Sequence, residues 1–132
     1  MAGFFMKELT LEWVHKAEED YETILQLFIE GKKPLYSIVC FHGQQCIEKY
    51  LKVFLTESGI DFPKTHLLSQ LLDLSIPLKP EWDLHRQALN VLSNFAIWTR
   101  YPHEMMVDRK IAQNAVEITF ELRSLLRNEL GI

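Results

Sequence analysis

The stretch from Tyr36 to Leu55, YSIVCFHGQQCIEKYLKVFL, constrains the fold more than any other part of the chain. It is typical of a long helix that is apolar over most of its circumference. At 100° per residue, four polar side chains fall within an arc of about 80°, and we call His42, Gln45, Lys49 and Lys52 the polar stripe. A helix that is apolar elsewhere belongs in a core, where polar groups need partners. The stretch therefore predicts a central helix whose polar stripe is a binding site, a solvent-exposed face or a seam between subunits.

Three other stretches have apolar residues at alternating intervals of three and four, which is the spacing of one helix face. They cover about residues 10–30, 81–99 and 107–129, and Thr10 is a candidate N-cap for the first. Their apolar stripes are Val14, Ala17, Tyr21, Ile24 and Phe28; Leu84, Ala88, Val91, Phe95 and Trp98; and Ile111, Ala115, Ile118, Leu122 and Leu125. A short helix is expected after Thr65, in HLLSQLLDL. The pattern predicts an all-α, up-and-down bundle of four long helices and one short helix.

The size and charge of the chain limit what it can be. Its 132 residues suit a single domain, residues 1–132 with a core at about 10–130. The net charge of −4 excludes a surface that is basic throughout, so any anion site must be a local patch. Neither a signal peptide nor a membrane span is expected. Cys40 and Cys46 point in different directions on one helix and are expected to be reduced thiols of a cytoplasmic protein.

Several sequence motifs resemble those of the HEPN family. CFHGQQCIEKYLKVFL (Cys40–Leu55) is similar to the family's signature helix, in which an aromatic and a small residue precede Gln-Gln, Glu-Lys and a second lysine. WVHKAEEDYETI (Trp13–Ile24) resembles the opening helix, THLLSQLL (Thr65–Leu72) the His-x-Leu segment, and RYP (Arg100–Pro102) the Arg-Tyr-Pro before the last helix. The resemblance covers roughly residues 10–130.

The resemblance implies a bundle of about five helices, often a homodimer, in a prokaryotic cytoplasm. It also implies frequent pairing with a minimal nucleotidyltransferase, as in toxin–antitoxin-like pairs. Some members of the wider group are metal-independent endoribonucleases, and others are thought to bind nucleotides without cleaving them. The family alone therefore leaves the choice between catalysis and binding open.

The ribonuclease members use an Arg-x(4–6)-His motif, in which arginine neutralises a phosphate and histidine helps to activate the ribose 2′-hydroxyl. The candidate arginine here is Arg100. The three positions at which the motif would place its histidine are occupied by Met105, Met106 and Val107. His103 follows only three residues on, in a proline-containing turn. The motif is therefore absent, and a ribonuclease that uses Arg100 with His103 is kept as the alternative function.

The leading hypothesis is a non-catalytic module that binds a nucleotide or RNA-like ligand, a nucleotidyltransferase partner, or both. The candidate binding residues are His42, Gln45, Lys49, Lys52, His66, Arg100 and Tyr101. A purely structural dimerisation subunit is a further alternative, with the polar stripe as its seam. No cofactor is expected, and no metal, because no pair of the five histidines falls on one helix face. Glu18, Glu19, Asp20 and Glu22 are expected to be a solvated face, and Trp13, Trp82 and Trp98 to lie in the core.

Overall fold

The computed structural model describes residues 6–98 and 106–132, and all regular secondary structure in these ranges is helical. The helices are α1 (Glu8–Ile24), α2 (Tyr36–Glu57), α3 (Leu68–Ser75), α4 (Arg86–Ser93), α5 (Phe95–Trp98) and α6 (Arg109–Leu130). One π-helical turn, Leu25–Ile29, extends α1, and a 3-10 segment, Pro80–His85, leads into α4. The predicted all-α bundle is confirmed. None of the helices within the described ranges has both the length and the apolar composition that a membrane span requires.

Helix α2 is the centre of the bundle, since it contacts α1, α3, α4, α5 and α6. Ile47, Tyr50 and Leu55 are fully buried, and the ring of Phe54 lies 4.7 Å from the ring of Trp82. The central position predicted for residues 36–55 follows from this wide apolar surface, which only neighbours on several sides can cover.

Helix α1 turns its predicted apolar stripe towards the core, whereas the predicted stripe of α6 is buried only at Ala115 and Leu122 and is partly buried elsewhere. On α1, Val14, Ala17 and Ile24 are buried, although the helix begins at Glu8, so Thr10 lies buried within it and is not the N-cap. Helix α6 begins later than predicted, because the side chain of Asp108 accepts a hydrogen bond from the backbone N–H of Ile111 at 2.8 Å.

The fourth predicted helix is interrupted and uses a different face. Leu84 is 78% exposed and Val91 is also exposed, whereas Trp82, Leu89 and Leu92 are buried. A 3-10 segment has three residues per turn rather than 3.6, so the opening at Pro80–His85 shifts the helical phase relative to a continuous α-helix. The predicted stripe is therefore wrong at Leu84 and Val91, and an apolar part of this segment faces outwards.

Candidate functional site

The polar stripe lies along α2 and is half-buried, because charged groups from two other segments contact it. Asp20 of α1 contacts His42 and Lys49, and His66, before α3, contacts Glu48 beside Lys52. The side chain of Lys49 is only 19% exposed. The expectation of a plain solvent-exposed face does not fit this burial, since each lysine sits beside a buried carboxylate.

Asp20 holds the first part of the stripe. The residue is 6% exposed, and its two oxygens take different partners: Oδ1 lies 2.8 Å from Nδ1 of His42, and Oδ2 lies 2.5 Å from Nζ of Lys49. A buried carboxylate is stable only when such partners replace its lost hydration. Asp20 therefore fixes the positions of two stripe residues at once.

Glu48 holds the second part of the stripe and is 5% exposed. Its Oε1 accepts a hydrogen bond from Nε2 of Gln44 at 2.9 Å and lies 2.9 Å from Nδ1 of His66. Its Oε2 accepts a hydrogen bond from Nζ of Lys52 at 3.1 Å. Gln44 also donates to the backbone carbonyl of His66 at 3.2 Å and accepts from Nε2 of Gln45 at 2.7 Å. This network links α2 to the segment before α3.

The electrostatic character of the face follows from these pairs. Two lysines are balanced by two carboxylates, Asp20 and Glu48, so these four side chains give the face no excess of positive charge. Each ammonium group has three N–H donors, and a single carboxylate oxygen occupies one of them. The face is therefore ordered and rich in donors, without being a strongly basic patch.

A separate polar cluster joins α1, α2 and α6. Arg123 forms two hydrogen bonds with Glu18, from Nε at 2.8 Å and from Nη2 at 2.5 Å. Tyr50 donates to Glu18 at 2.6 Å and accepts from Arg127 at 2.8 Å. Partial burial opposes ionisation of Glu18, but the bonds from Arg123 and Tyr50 outweigh it and hold the pKa of Glu18 below its usual value. Burial and the Glu18 charge raise the pKa of Tyr50, so the phenol stays protonated.

Both cysteines are free and buried. Burial raises the pKa of the Cys40 thiol to about 12, and it also raises that of Cys46, with the charges of Asp20 and Glu18 adding to the effect. Because the thiolate is the reactive form, neither sulfur is an activated nucleophile. Within the described ranges, no three potential metal-ligating side chains come together in a way that could hold a metal ion.

The structure brings together five of the sequence-predicted site residues: His42, Gln45, Lys49, Lys52 and His66. Arg100, Tyr101 and His103 lie outside the described residues. The prediction of a solvated acidic face on α1 is wrong for Asp20, which is buried and pairs with Lys49, and for Glu18, which is partly buried and pairs with Arg123. One signal could have revealed Asp20, because it lies three residues after Ala17 and four before Ile24, in register with the apolar stripe.

Comparison with known proteins identifies the family and agrees with the helical fold. The family model of the HEPN domain matches residues 10–129. The crystal structure of an archaeal HEPN homologue is similar in fold, with a TM-score of 0.71 and 24% sequence identity over 95% of this chain and 99% of that one. The comparison with curated protein sequences gives no match. Because the family model covers nearly the whole chain, the protein belongs to the HEPN family.

Proposed function

We propose that this chain is a HEPN module that acts without catalysis and binds a nucleotide or a short RNA-like segment on the polar stripe of α2. One observation carries the proposal: Lys49 and Lys52 are held half-buried by Asp20 and Glu48, between two histidines. Absence of the Arg-x(4–6)-His spacing from the sequence supports binding rather than cleavage. Arg100 and Tyr101 are proposed to extend the same site.

The contacts suit a phosphate-bearing ligand. A lysine that already has one carboxylate partner can still donate its remaining N–H groups to phosphate oxygens. Because Nδ1 of His66 faces Glu48, its Nε2 is the ring atom available to a ligand hydroxyl such as that of a ribose. Side chains that are held before the ligand arrives lose little conformational entropy on binding, which favours affinity.

The charge balance favours a small ligand over a long polynucleotide. Non-specific RNA and DNA binding depends on excess positive charge that releases counterions, and here each lysine is paired with a carboxylate. The whole chain also carries a net charge of −4. Recognition must therefore come from short-range contacts at a defined site, which a mononucleotide or a short segment can satisfy.

Replacing Lys49 by glutamine should weaken nucleotide binding about tenfold or more, because it removes one charge-assisted hydrogen bond worth about 1.5–3 kcal/mol. Isothermal titration calorimetry with AMP measures the change at a temperature at which circular dichroism shows each variant folded. Lys79→Gln is the matched control, since the side chain of Lys79 is 22% exposed and pairs at 2.6 Å with Glu129, which makes no contact with the hydrogen-bond network of the stripe. We expect this control to keep the wild-type affinity.

The same samples separate the alternative functions. The binding proposal would be contradicted if Lys49→Gln and Lys79→Gln lost equal AMP affinity. It would also be contradicted if wild type did not bind AMP at millimolar concentration. RNA cleavage in the presence of EDTA would favour the ribonuclease alternative with Arg100 and His103. A shift in sedimentation caused by Lys49→Gln alone would favour the structural alternative, in which the polar stripe is a dimer seam.

We also propose that the module is a homodimer, because α4 and the segment before it expose an apolar surface. Leu84 and Val91 are both exposed large apolar side chains of this segment, and Leu84 is 78% exposed. Replacing Leu84 by glutamate should shift the protein from dimer to monomer in sedimentation velocity, because a charge cannot be buried in an apolar interface without a partner. Asn90→Glu, at an exposed position of α4, is the control and should leave the dimer intact. A wild-type protein that sediments as a monomer at tens of micromolar would contradict the proposal.

The setting and the heterologous partner are proposals that rest on family membership. We propose a cytoplasmic, prokaryotic context in which a minimal nucleotidyltransferase is the partner, as in a toxin–antitoxin-like pair. A neighbouring gene that encodes a small nucleotidyltransferase would support this pairing.

A further inference from the structure

Trp13 is exposed, although the sequence pattern places it in the core. The side chain of Trp13 is 43% exposed, and Leu9, one turn earlier on α1, is 67% exposed. Trp82, by contrast, is buried as expected. Large apolar side chains that lie together on a surface often mark a binding site. The exposed pair of Trp13 and Leu9 is therefore a candidate binding surface.

Trp13 and Leu9 line a cavity of about 150 Å³ between the start of α1 and the end of α2. Val53 of α2 and Phe62, from the segment after it, complete the apolar part of the lining. Lys52 also lines this cavity, and its ammonium group lies 5.8 Å from the centroid of the Phe62 ring. The cavity is thus mainly aromatic and apolar, and its polar lining consists of one cation and two threonines, Thr10 and Thr56.

Lys52 connects the cavity to the polar stripe. The same ammonium group is 3.1 Å from Oε2 of Glu48, so one side chain belongs to both sites. Lys49 precedes Lys52 by three residues, which is about 4.5 Å along the helix axis. A ligand whose ring occupies the cavity would therefore extend its phosphate by about one helical turn to reach Lys49.

We propose that this cavity is the base subsite of the ligand site, so that the ring of a nucleotide lies against Trp13 and Phe62 while its phosphate faces Lys49. This assignment rests on the proposed function of the polar stripe. The volume supports one ring system, because 150 Å³ is about five times the share of one water in liquid and below the roughly 300–1,000 Å³ of pockets that enclose a whole ligand. Aromatic side chains stack on any base, so the subsite selects nucleotides over sugar phosphates rather than one base over another.

The test compares ligands with and without a base. Isothermal titration calorimetry with AMP, UMP and ribose 5-phosphate should show both nucleotides binding wild type at least tenfold more tightly than the sugar phosphate. Trp13→Ala should weaken nucleotide binding about 5- to 100-fold, the range for loss of one stacked base, and leave ribose 5-phosphate unaffected. Trp13→Phe should retain most of the affinity. Leu11→Ala is the control, because Leu11 is an exposed apolar residue of α1 that does not line the cavity.

The outcomes separate this inference from the proposed function. If no phosphate-bearing ligand binds wild type, the proposed function fails and the base subsite fails with it. If AMP and ribose 5-phosphate bind equally, and Trp13→Ala changes neither, the base subsite is overturned while the phosphate site stands. If Trp13→Ala changes sedimentation and not nucleotide affinity, the cavity is a protein contact, which also overturns the base subsite.

Discussion

Replacing Glu48 by alanine should lower the free energy of unfolding by about 3 kcal/mol, because it removes one member of a buried ionic pair. The carboxylate is 5% exposed and accepts hydrogen bonds from Lys52, Gln44 and His66. Without it, the amide of Gln44 loses a partner inside the protein, and Lys52 keeps a charge in a site where it is only 15% exposed. Partial access of Lys52 to water places the loss near the lower end of the range for broken buried pairs.

Urea unfolding followed by circular dichroism measures this loss, which corresponds to a fall in Tm of roughly 10 °C for a chain of this length. Glu57→Ala is the matched control, because Glu57 lies on the same helix and is less buried, with only a 3.4 Å contact from the backbone N–H of Lys7. We expect the control to lie within about 0.5 kcal/mol of wild type. A Glu48→Ala variant as stable as this control would show that the network contributes little to the fold.

The stability of this network bears directly on the proposed site. Glu48 orients His66 through Nδ1 and limits the movement of Lys52, so the residues proposed to contact a ligand are held by a group that does not face it. Positioning of this kind keeps a site in its binding geometry before the ligand arrives. The same residue would then affect folding and ligand affinity through one set of hydrogen bonds.

The parts of the fold that could be predicted are those that depend on local periodicity. The central position of α2 and the buried faces of α1 and α6 follow from apolar spacing, because a helix repeats every 3.6 residues regardless of its neighbours. Residues 80–98 could not be predicted in this way. Their chain begins as a 3-10 segment and is interrupted at Asn94, and both features depend on how α4 and α5 meet α2.

In the candidate site, the polar stripe was predicted from the sequence, but its acidic partners were not. The polar stripe stood out because its polar groups interrupt an apolar helix. Its acidic partners were less evident, because Asp20 belongs to a run of acidic residues on α1 and only its register with the apolar stripe marks it, while Glu48 is next to Lys49 in sequence. The burial of Glu48 depends on contacts between helices, which a single-helix pattern does not encode. The exposure of Trp13 was missed for a similar reason, because the cavity beside it forms only where α1 meets α2.

Gly43 is the small residue of the HEPN-like signature, and replacing it by alanine should destabilise the protein by about 1–3 kcal/mol, the usual range for overpacking. A Cβ atom at this position would lie 2.6 Å from Oγ1 of Thr119 on α6. Thr119 is fully buried, and its hydroxyl is held by a 2.8 Å hydrogen bond to the carbonyl of Ala115, so it cannot move away freely. The sign of the change in unfolding free energy distinguishes the two cases, because in an unobstructed helix replacing glycine by alanine stabilises by up to about 1 kcal/mol.

A double-mutant cycle with Thr119→Ala isolates the contact between α2 and α6. Thr119→Ala removes the oxygen that the new Cβ would meet, so Gly43→Ala in that background should be neutral or stabilising. Urea unfolding of wild type, the two single variants and the double variant gives the coupling free energy between positions 43 and 119. We expect this coupling to be at least about 1 kcal/mol. If Gly43→Ala stabilises the wild-type protein, or costs the same in both backgrounds, the two helices do not approach as closely as the structure places them. The small residue at position 43 would then have a role other than packing.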